Sequence, residues 1–197
     1  HHQASPPSRR MNDIALGISH ITDWQGYDHM LYLLALVARY DLRHAGQAAL
    51  LATAFTVGHS LTLAVAALDL FRVPGNWVEF LIPVTILVTA LLGLRSGEVS
   101  AQAKKRNYLM AACFGLIHGL GFSSFFRISR DETAGFIGGL FRFNLGVEIG
   151  QLVIVAVMLA LASLLRAAKV SERDQQLFVC GGAAFLSLVM ALERLPW

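Results

Sequence analysis

The sequence predicts an all-α integral membrane protein, a bundle of about six transmembrane helices with an amphipathic lead-in at the N-terminus. Only 15% of the 197 residues are charged and 55% are hydrophobic, whereas an ordinary soluble domain has about 25% charged residues. The mean hydropathy is +0.56. The apolar residues also form blocks long enough to cross a bilayer, which takes about 20 residues per helix. These blocks lack the alternation of a transmembrane β-barrel, so helices are predicted.

Six apolar blocks follow one another along the chain, at residues 27–40, 48–71, 77–94, 108–126, 136–165 and 177–195. The first is short and follows an amphipathic lead-in that contains His20 and Asp23. The fifth is long enough to tilt in the membrane or to begin with an interfacial turn. Residues 1–10 begin with two histidines and are interpreted as a tag or processed terminus. Residues 11–197 are then expected to form a single transmembrane domain.

Orientation and partners follow from the charges. Nine of the 16 Lys and Arg residues lie in the first, third and fifth loops and seven lie on the opposite side. By the positive-inside rule, both termini are predicted to lie outside the cytoplasm, in a bacterial inner membrane. No basic stripe alternates with aromatic residues, so the expected partner is the lipid bilayer and not nucleic acid. The sequence leaves undecided whether the protein forms a homo-oligomer.

Cys113 and Cys180 lie in apolar blocks and are interpreted as small buried hydrophobic residues.

Ionisable side chains inside the apolar blocks are the informative residues. Each costs about 2.5–3.5 kcal/mol at the centre of a transmembrane helix, so it persists where it pairs, ligates or lines a water path. The candidates are Asp28, His29, His59, His118 and Glu148, with His20 just before the first block. Small-xxx-small pairs flank two of them, at Gly115 and Gly119 and at Gly146 and Gly150. Such spacing predicts close helix packing.

The residue types predict a metal site. Imidazole together with carboxylate suits a divalent transition metal such as Ni, Co or Zn better than Ca or Mg. We therefore predict that Asp28, His29, His59 and His118 converge inside the bundle, with Glu148 lining the same cavity. Adjacent residues of a regular helix do not share a face. Asp28 and His29 are thus expected to bind one ion together only if the helix begins or unwinds there. Otherwise one of them is the ligand and the other orients it.

Four ordered stretches resemble motifs of the HupE/UreJ family of membrane proteins. They are HITDWQGYDHML at 20–31, FTVGHSLT at 55–62, FGLIHGLGF at 114–122 and FNLGVEIGQ at 143–151. The resemblance implies a nickel or cobalt permease serving hydrogenase and urease maturation, with metal bound at the first motif. Seven residues separate His20 from Asp28, two more than in the commoner family pattern. A ligand role therefore carries over to Asp28 and His29 more directly than to His20.

Three functions fit these residues. The preferred one is a secondary metal permease or binding protein; no nucleotide-binding P-loop signature is present, so ATP use would need a partner. The second is an intramembrane zinc-dependent hydrolase of a lipid amide or ester, with Ser60 beside His59 and Asp28 as a base toward zinc-bound water. The third is a metal sensor or partner subunit without transport or turnover. Whether the protein is an enzyme stays open at this point.

Overall fold

A computed structural model of the chain describes residues 12–24, 26–68, 73–95, 101–129 and 135–197. The helices are α1 (Asp13–Thr22), α2 (Asp28–Val37), a 3-10 helix (Leu42–His44), α3 (Ala45–Ala67), α4 (Gly75–Gly93), α5 (Ala101–Ser129), α6 (Phe136–Ala167) and α7 (Glu172–Glu193). The described residues contain no strand, so the prediction of an all-α protein is confirmed for this part of the chain. The expected tag or processed terminus at residues 1–10 lies outside the described residues.

Four of the described helices are long and apolar enough to cross a membrane. The stretches are Leu42–Ala66, Gly75–Gly93, Ile137–Ala167 and Glu172–Glu193, with mean hydropathies of 1.6 to 2.2. The fourth predicted block lies in α5, which has 29 residues. The first predicted block shrinks to α2, a shorter apolar helix of ten residues.

Glycines bring α3 and α5 into backbone contact. A Cβ added to Gly115 would lie 2.1 Å from the carbonyl oxygen of Phe55, and one added to Gly119 would lie 2.3 Å from that of His59. Only a residue without a Cβ permits this approach. Close packing at this glycine pair was predicted and is confirmed. The contact of Gly119 lies further along both helices than the contact of Gly115, so α3 and α5 run in the same direction.

The α1–α6 pair uses the same device. A Cβ on Gly17 would lie 2.1 Å from the Phe143 carbonyl oxygen, and one on Gly146 would lie 2.1 Å from that of Ile14. Gly150 in turn contacts the Ile21 side chain, so the packing predicted at the second glycine pair is also confirmed. Near its start, α1 meets α6 through a partly buried ion pair in which Arg142 donates to the buried Asp13 over 3.0 Å. The helices α1 and α6 run in the same direction.

Contacts between the other helices fix their directions. The antiparallel pairs are α4 with α5 through Thr85–His118 and Ile82–Gly121, α3 with α6 through Ala52–Gln151 and Thr53–Glu148, and α4 with α7 through Asn76–Pro196 and Gly93–Cys180. In addition, α2 runs parallel to α4. The start of α2 lies beside His118, and the Ala35 carbonyl of α2 lies beside Gly93 at the end of α4. Therefore α1, α2, α4 and α6 run one way, and α3, α5 and α7 run the other way.

The N-terminal lead-in is one half of a broken helix. The helices α1 and α2 run in the same direction, have ten residues each and are separated by residues 23–27. At 1.5 Å per residue each rises about 15 Å, so together they match a hydrocarbon core of about 30 Å. Asp23 and Gly26 in the break are poor helix formers. The sequence assigned α2 to the first apolar block and α1 to the amphipathic lead-in.

Candidate metal centre

Four histidines from four helices meet near the middle of the bundle. His20 lies in the last turn of α1 and His29 in the first turn of α2, while His59 comes from α3 and His118 from α5. The ring centroids are 4.6 Å apart for His20 and His29 and 5.0 Å apart for His29 and His118. One ring nitrogen from each of His20, His29 and His59 lies within 4.8 Å of the other two. We call these four side chains the histidine cluster.

The helix break explains why His20 joins the histidine cluster. In one continuous helix, His20 and His29 would be nine residues and about 13 Å apart along the axis. Because α1 ends at Thr22 and α2 begins at Asp28, the end of one half-helix meets the start of the other. The long spacing within the first motif thus places His20 closer to the site than the sequence suggested.

Two hydrogen bonds orient the imidazoles of His29 and His118. Nδ1 of His29 lies 3.0 Å from Oδ1 of Asp28; a carboxylate only accepts, so Nδ1 carries the proton. The Thr85 hydroxyl donates to the Ile82 carbonyl over 2.7 Å. It therefore accepts from Nε2 of His118 at 3.0 Å. These partners leave Nε2 of His29 and Nδ1 of His118 with lone pairs available to an ion.

The available nitrogens are buried. His29, His59 and His118 are 5%, 0% and 1% exposed. Among the described residues, no hydrogen-bond partner reaches Nε2 of His29, either ring nitrogen of His59, or Nδ1 of His118. A buried polar atom without a partner costs about 1–3 kcal/mol. The nitrogens of His20, His29 and His59 that lie within 4.8 Å of one another therefore form a ready donor set for a cation that prefers imidazole, with His118 beside His29.

Asp28 lies beside the cluster as an orienting group. Its Oδ1 accepts from both the backbone amide and Nδ1 of His29, at 2.9 and 3.0 Å. Its Oδ2 lies 3.7 Å from Nη1 of Arg194. The predicted division of labour between adjacent residues therefore has a geometric basis, because a carboxylate behind a ligating histidine fixes its tautomer and raises its basicity.

A cavity of about 390 Å³ reaches the histidine cluster from one side of the bundle. Its lining comes from α1, the beginning of α2, the first half of α4, α5 and the segment after α7. The charged lining residues are Asp23, Asp28, Glu79 and Arg194, and the lining histidines are His20, His29 and His118. We call the end of the bundle where α4 begins and α7 ends the cavity side, and the opposite end the closed side.

Glu148 is placed in a second polar cluster, between α6 and α3. Its carboxylate accepts from Thr53, Thr56 and Gln151 at 2.5, 2.6 and 2.8 Å. Thr56 is one helical turn from His59, so Glu148 neighbours the histidine cluster along α3. The described lining of the 390 Å³ cavity does not include Glu148.

Aromatic rings cover the histidine cluster on the closed side. Tyr32 lies one turn beyond His29 and stacks on Phe55, with ring centroids 4.7 Å apart. Both rings also lie within 5.3 Å of the His118 imidazole. The four-residue spacing of Asp28 and Tyr32 indicated a shared polar stripe on one helix, whereas sequence reasoning missed the Thr85 partner of His118. A threonine in an otherwise apolar block was the available signal for Thr85.

Comparison with known proteins yields one match. The profile of a family described as HupE / UreJ protein matches residues 1–193, which is nearly the whole chain. No curated protein and no solved structure matches the chain.

Proposed function

Because the chain belongs to the HupE/UreJ family, we propose that it is a membrane permease that binds a divalent transition metal ion at the histidine cluster and passes it across the bilayer. The ligands in this proposal are His20, His29, His59 and His118. Asp28 holds His29 in position. Glu148 contributes a carboxylate near these ligands, from the second polar cluster between α6 and α3.

One observation carries the proposal. Among the described residues, buried imidazole nitrogens on α2, α3 and α5 lack hydrogen-bond partners. The ring centroid of His29 lies 5.9 Å from that of His59 and 5.0 Å from that of His118. His29 and His118 line a cavity that also has acidic side chains in its lining. A purely structural histidine cluster would satisfy these nitrogens within the protein. An ion that exchanges its water for imidazole satisfies them instead.

The arrangement of the helices supports a transport path across the membrane. We propose six spans, with the two halves α1 and α2 forming one, and α3, α4, α5, α6 and α7 forming the others. A helix broken at mid-membrane is tolerated where it lines a cavity, and in transporters such breaks mark substrate sites. We propose that the cavity side, with the termini, lies outside the cytoplasm of a bacterial inner membrane, the orientation that the Lys and Arg distribution favours. The direction of transport is then inward.

The family favours nickel or cobalt as the substrate. The donor atoms alone do not select nickel or cobalt, since imidazole sites generally bind copper more tightly than either metal. Selection by a permease of this kind would come from the geometry of the four imidazoles and from metal availability in the cell.

Metal flux into proteoliposomes tests the proposal. Purified protein is reconstituted, a metal-sensitive dye is enclosed, and nickel, cobalt or zinc is added outside; the expected result is influx well above that of protein-free vesicles. Elemental analysis of the purified protein identifies the metal it holds. If no metal crosses, and the protein keeps zinc and cleaves a lipid amide or ester, the hydrolase alternative replaces this proposal.

The hydrolase alternative receives less support from the geometry. It assigned Asp28 as a base and Ser60 as an active-site residue. Asp28 is engaged with His29 and lies near Arg194. Ser60 is not among the described residues that line the cavity.

A further inference from the structure

We propose that the metal ion leaves the histidine cluster through a closed half-pathway between α2, α4 and α7, with the Tyr32 hydroxyl as its gate and Cys180 as its outer constriction. This inference rests on the proposed transport function and adds the exit route. The open cavity accounts for only one half of a crossing, since its lining stops at the histidine cluster.

Polar groups continue beyond the cluster along the buried face of α4. Thr85 holds His118, and Thr89 follows one turn later, donating to the Thr85 carbonyl over 2.8 Å. Both side chains are buried. Gly93 lies one further turn along and is also buried. The rise from Thr85 to Gly93 is about 12 Å, most of the 15 Å in half a hydrocarbon core of about 30 Å.

Tyr32 is the unusual member of this path. Its side chain is fully buried and its hydroxyl has no hydrogen-bond partner among the described residues. The Thr89 hydroxyl lies close to it. Thr89 donates its proton to the Thr85 carbonyl, so its oxygen can still accept, and a movement of Tyr32 toward Thr89 would pair the two hydroxyls. Leaving a buried hydroxyl unpaired destabilises the state in which it is buried. A side chain that finds a partner only when the pathway opens would explain an unpaired hydroxyl in the closed state.

The outer end of the path is a narrow contact between α4, α7 and α2. A Cβ on Gly93 would lie 2.6 Å from Sγ of Cys180 and 3.7 Å from the Ala35 carbonyl oxygen. Beyond it, Gln176 of α7 donates to the Gly93 carbonyl. A small residue, a thiol and backbone carbonyls thus meet at this point. Thiol and carbonyl groups are possible ligands for a borderline metal, and Cys180 is fully buried here.

Pro83 supplies a weak point in α4 between the two half-pathways. It lies inside the helix and has no amide hydrogen to donate to the Glu79 carbonyl, four residues earlier. Glu79 and Ile82 line the open cavity, whereas Thr85 and Thr89 lie beyond it. Proline positions are where transmembrane helices bend. Bending at Pro83 would move the α4 residues of the exit path while the cavity-side half stays in place.

The first test is Tyr32→Phe, which removes only the hydroxyl. We expect metal influx into proteoliposomes to fall about tenfold, equivalent to about 1.4 kcal/mol, while the equilibrium affinity for metal stays within about twofold. The matched control is Tyr108→Phe, which removes a half-buried phenol hydroxyl from α5, outside the α2–α4–α7 path. Equal influx in Tyr32→Phe and wild type would show that the Tyr32 hydroxyl is not the gate.

The second test uses Cys180 as a native reporter. The chain has two cysteines, and the other one, Cys113, is exposed on α5. In a Cys113→Ala protein, a thiosulfonate reagent on the closed side should leave Cys180 unmodified without metal and modify it while nickel or cobalt flows. Flux without modification of Cys180, together with normal flux in Tyr32→Phe, would overturn the exit route and leave the permease proposal standing. Absence of flux in wild type would instead remove the permease proposal itself.

Discussion

Oδ1 of Asp28 lies 3.0 Å from Nδ1 of His29, so the imidazole of His29 presents its other nitrogen to the histidine cluster. Sequence neighbours achieve this because α2 begins at Asp28. At the first residue of a helix, a carboxylate is free to fold over the next side chain and to accept its backbone amide as well. The break between α1 and α2 therefore serves both to bring His20 to the site and to orient His29.

The first prediction follows from this contact. Asp28→Ala should lower metal affinity about 10- to 100-fold, because a ligating histidine loses the partner that fixes its tautomer. Asp28→Asn should lose less, since its amide oxygen still accepts from Nδ1. Competition with a chromophoric chelator measures both affinities. The control is Glu79→Gln, which removes another carboxylate from the cavity lining. An equally large loss in that control would point to net charge and not to orientation.

The second prediction concerns the ligands themselves. His29→Ala and His118→Ala should each abolish metal accumulation while leaving folded protein in the membrane, because a missing ligand weakens binding more than it disturbs packing. The control is His44→Ala, since His44 is a half-exposed partner of Asp41 outside the histidine cluster. Uptake is measured at equal expression, with size-exclusion chromatography as the folding check. Wild-type uptake in either cluster variant would show that this histidine is not a ligand on the transport path.

The sequence identified the membrane class, the all-α fold and the histidines that meet, because each depends on a local property. The fold class depends on the length of the apolar blocks, and the histidines stand out because an ionisable side chain inside such a block costs free energy. It did not foresee the broken helix, since α1 with its N-cap carries Asn12, Asp13 and His20 and resembles an interfacial lead-in. The partner of Asp13 is Arg142, which lies 129 positions away. Likewise the Thr53 and Thr56 partners of Glu148 are long-range contacts. Pairing across helices decides these placements, and periodicity within one block does not contain that information.

The third prediction tests the glycine contacts that hold His59 and His118 at their separation. Gly115→Ala places a methyl group 2.1 Å from the Phe55 carbonyl oxygen, which is a backbone atom with little freedom to move. We expect the free energy of unfolding to fall by about 1–3 kcal/mol and metal binding to weaken. Thermal unfolding in detergent measures the first effect.

Gly181→Ala and Gly182→Ala on α7 are matched controls, because a Cβ at either position meets nothing within 4 Å. An alanine inside a helix is favoured over glycine by about 0.5–1 kcal/mol, so these variants should be as stable as wild type or more stable. A Gly115→Ala protein with the stability of these controls would show that α3 and α5 separate at no cost.

The fourth prediction concerns an ion pair at the closed side. Asp41 lies 2.6 Å from Nη1 of Arg166 and 2.7 Å from Nδ1 of His44, which ties the α2–α3 connection to the end of α6. Burial raises the pKa of Asp41, but the hydrogen bonds from His44 and Arg166 outweigh it and hold the pKa below its usual value. The ionised carboxylate therefore stabilises the fold at neutral pH. That contribution is lost as pH falls through the lowered pKa.

Asp41→Asn should accordingly reduce the free energy of unfolding at pH 7 by about 1–3 kcal/mol. The difference from wild type should shrink as the pH is lowered below about 3.9, the pKa of an unperturbed Asp. Glu172→Gln is the control, because the Glu172 carboxylate is largely exposed beside Arg166 and exposed pairs contribute about 0–1 kcal/mol. Detergent unfolding curves from pH 7 to pH 3 give both comparisons. A difference that stays constant over this range would mean that the Asp41 charge is not involved.

The last prediction concerns Arg194, whose guanidinium is the cation nearest to the site among the described cavity-lining residues. It lies 3.7 Å from Oδ2 of Asp28, too far for a hydrogen bond but close enough for electrostatic attraction. Its positive charge repels an arriving metal ion and also partly neutralises the carboxylate that supports His29. Both effects weaken metal binding, so Arg194→Gln should raise the affinity. The increase should be larger at low ionic strength, because Arg194 is partly exposed and salt screens such charges. Affinity measured at about 10 mM and about 150 mM salt tests this, and a loss of affinity in Arg194→Gln would instead make Arg194 a positioning residue that holds Asp28 against His29.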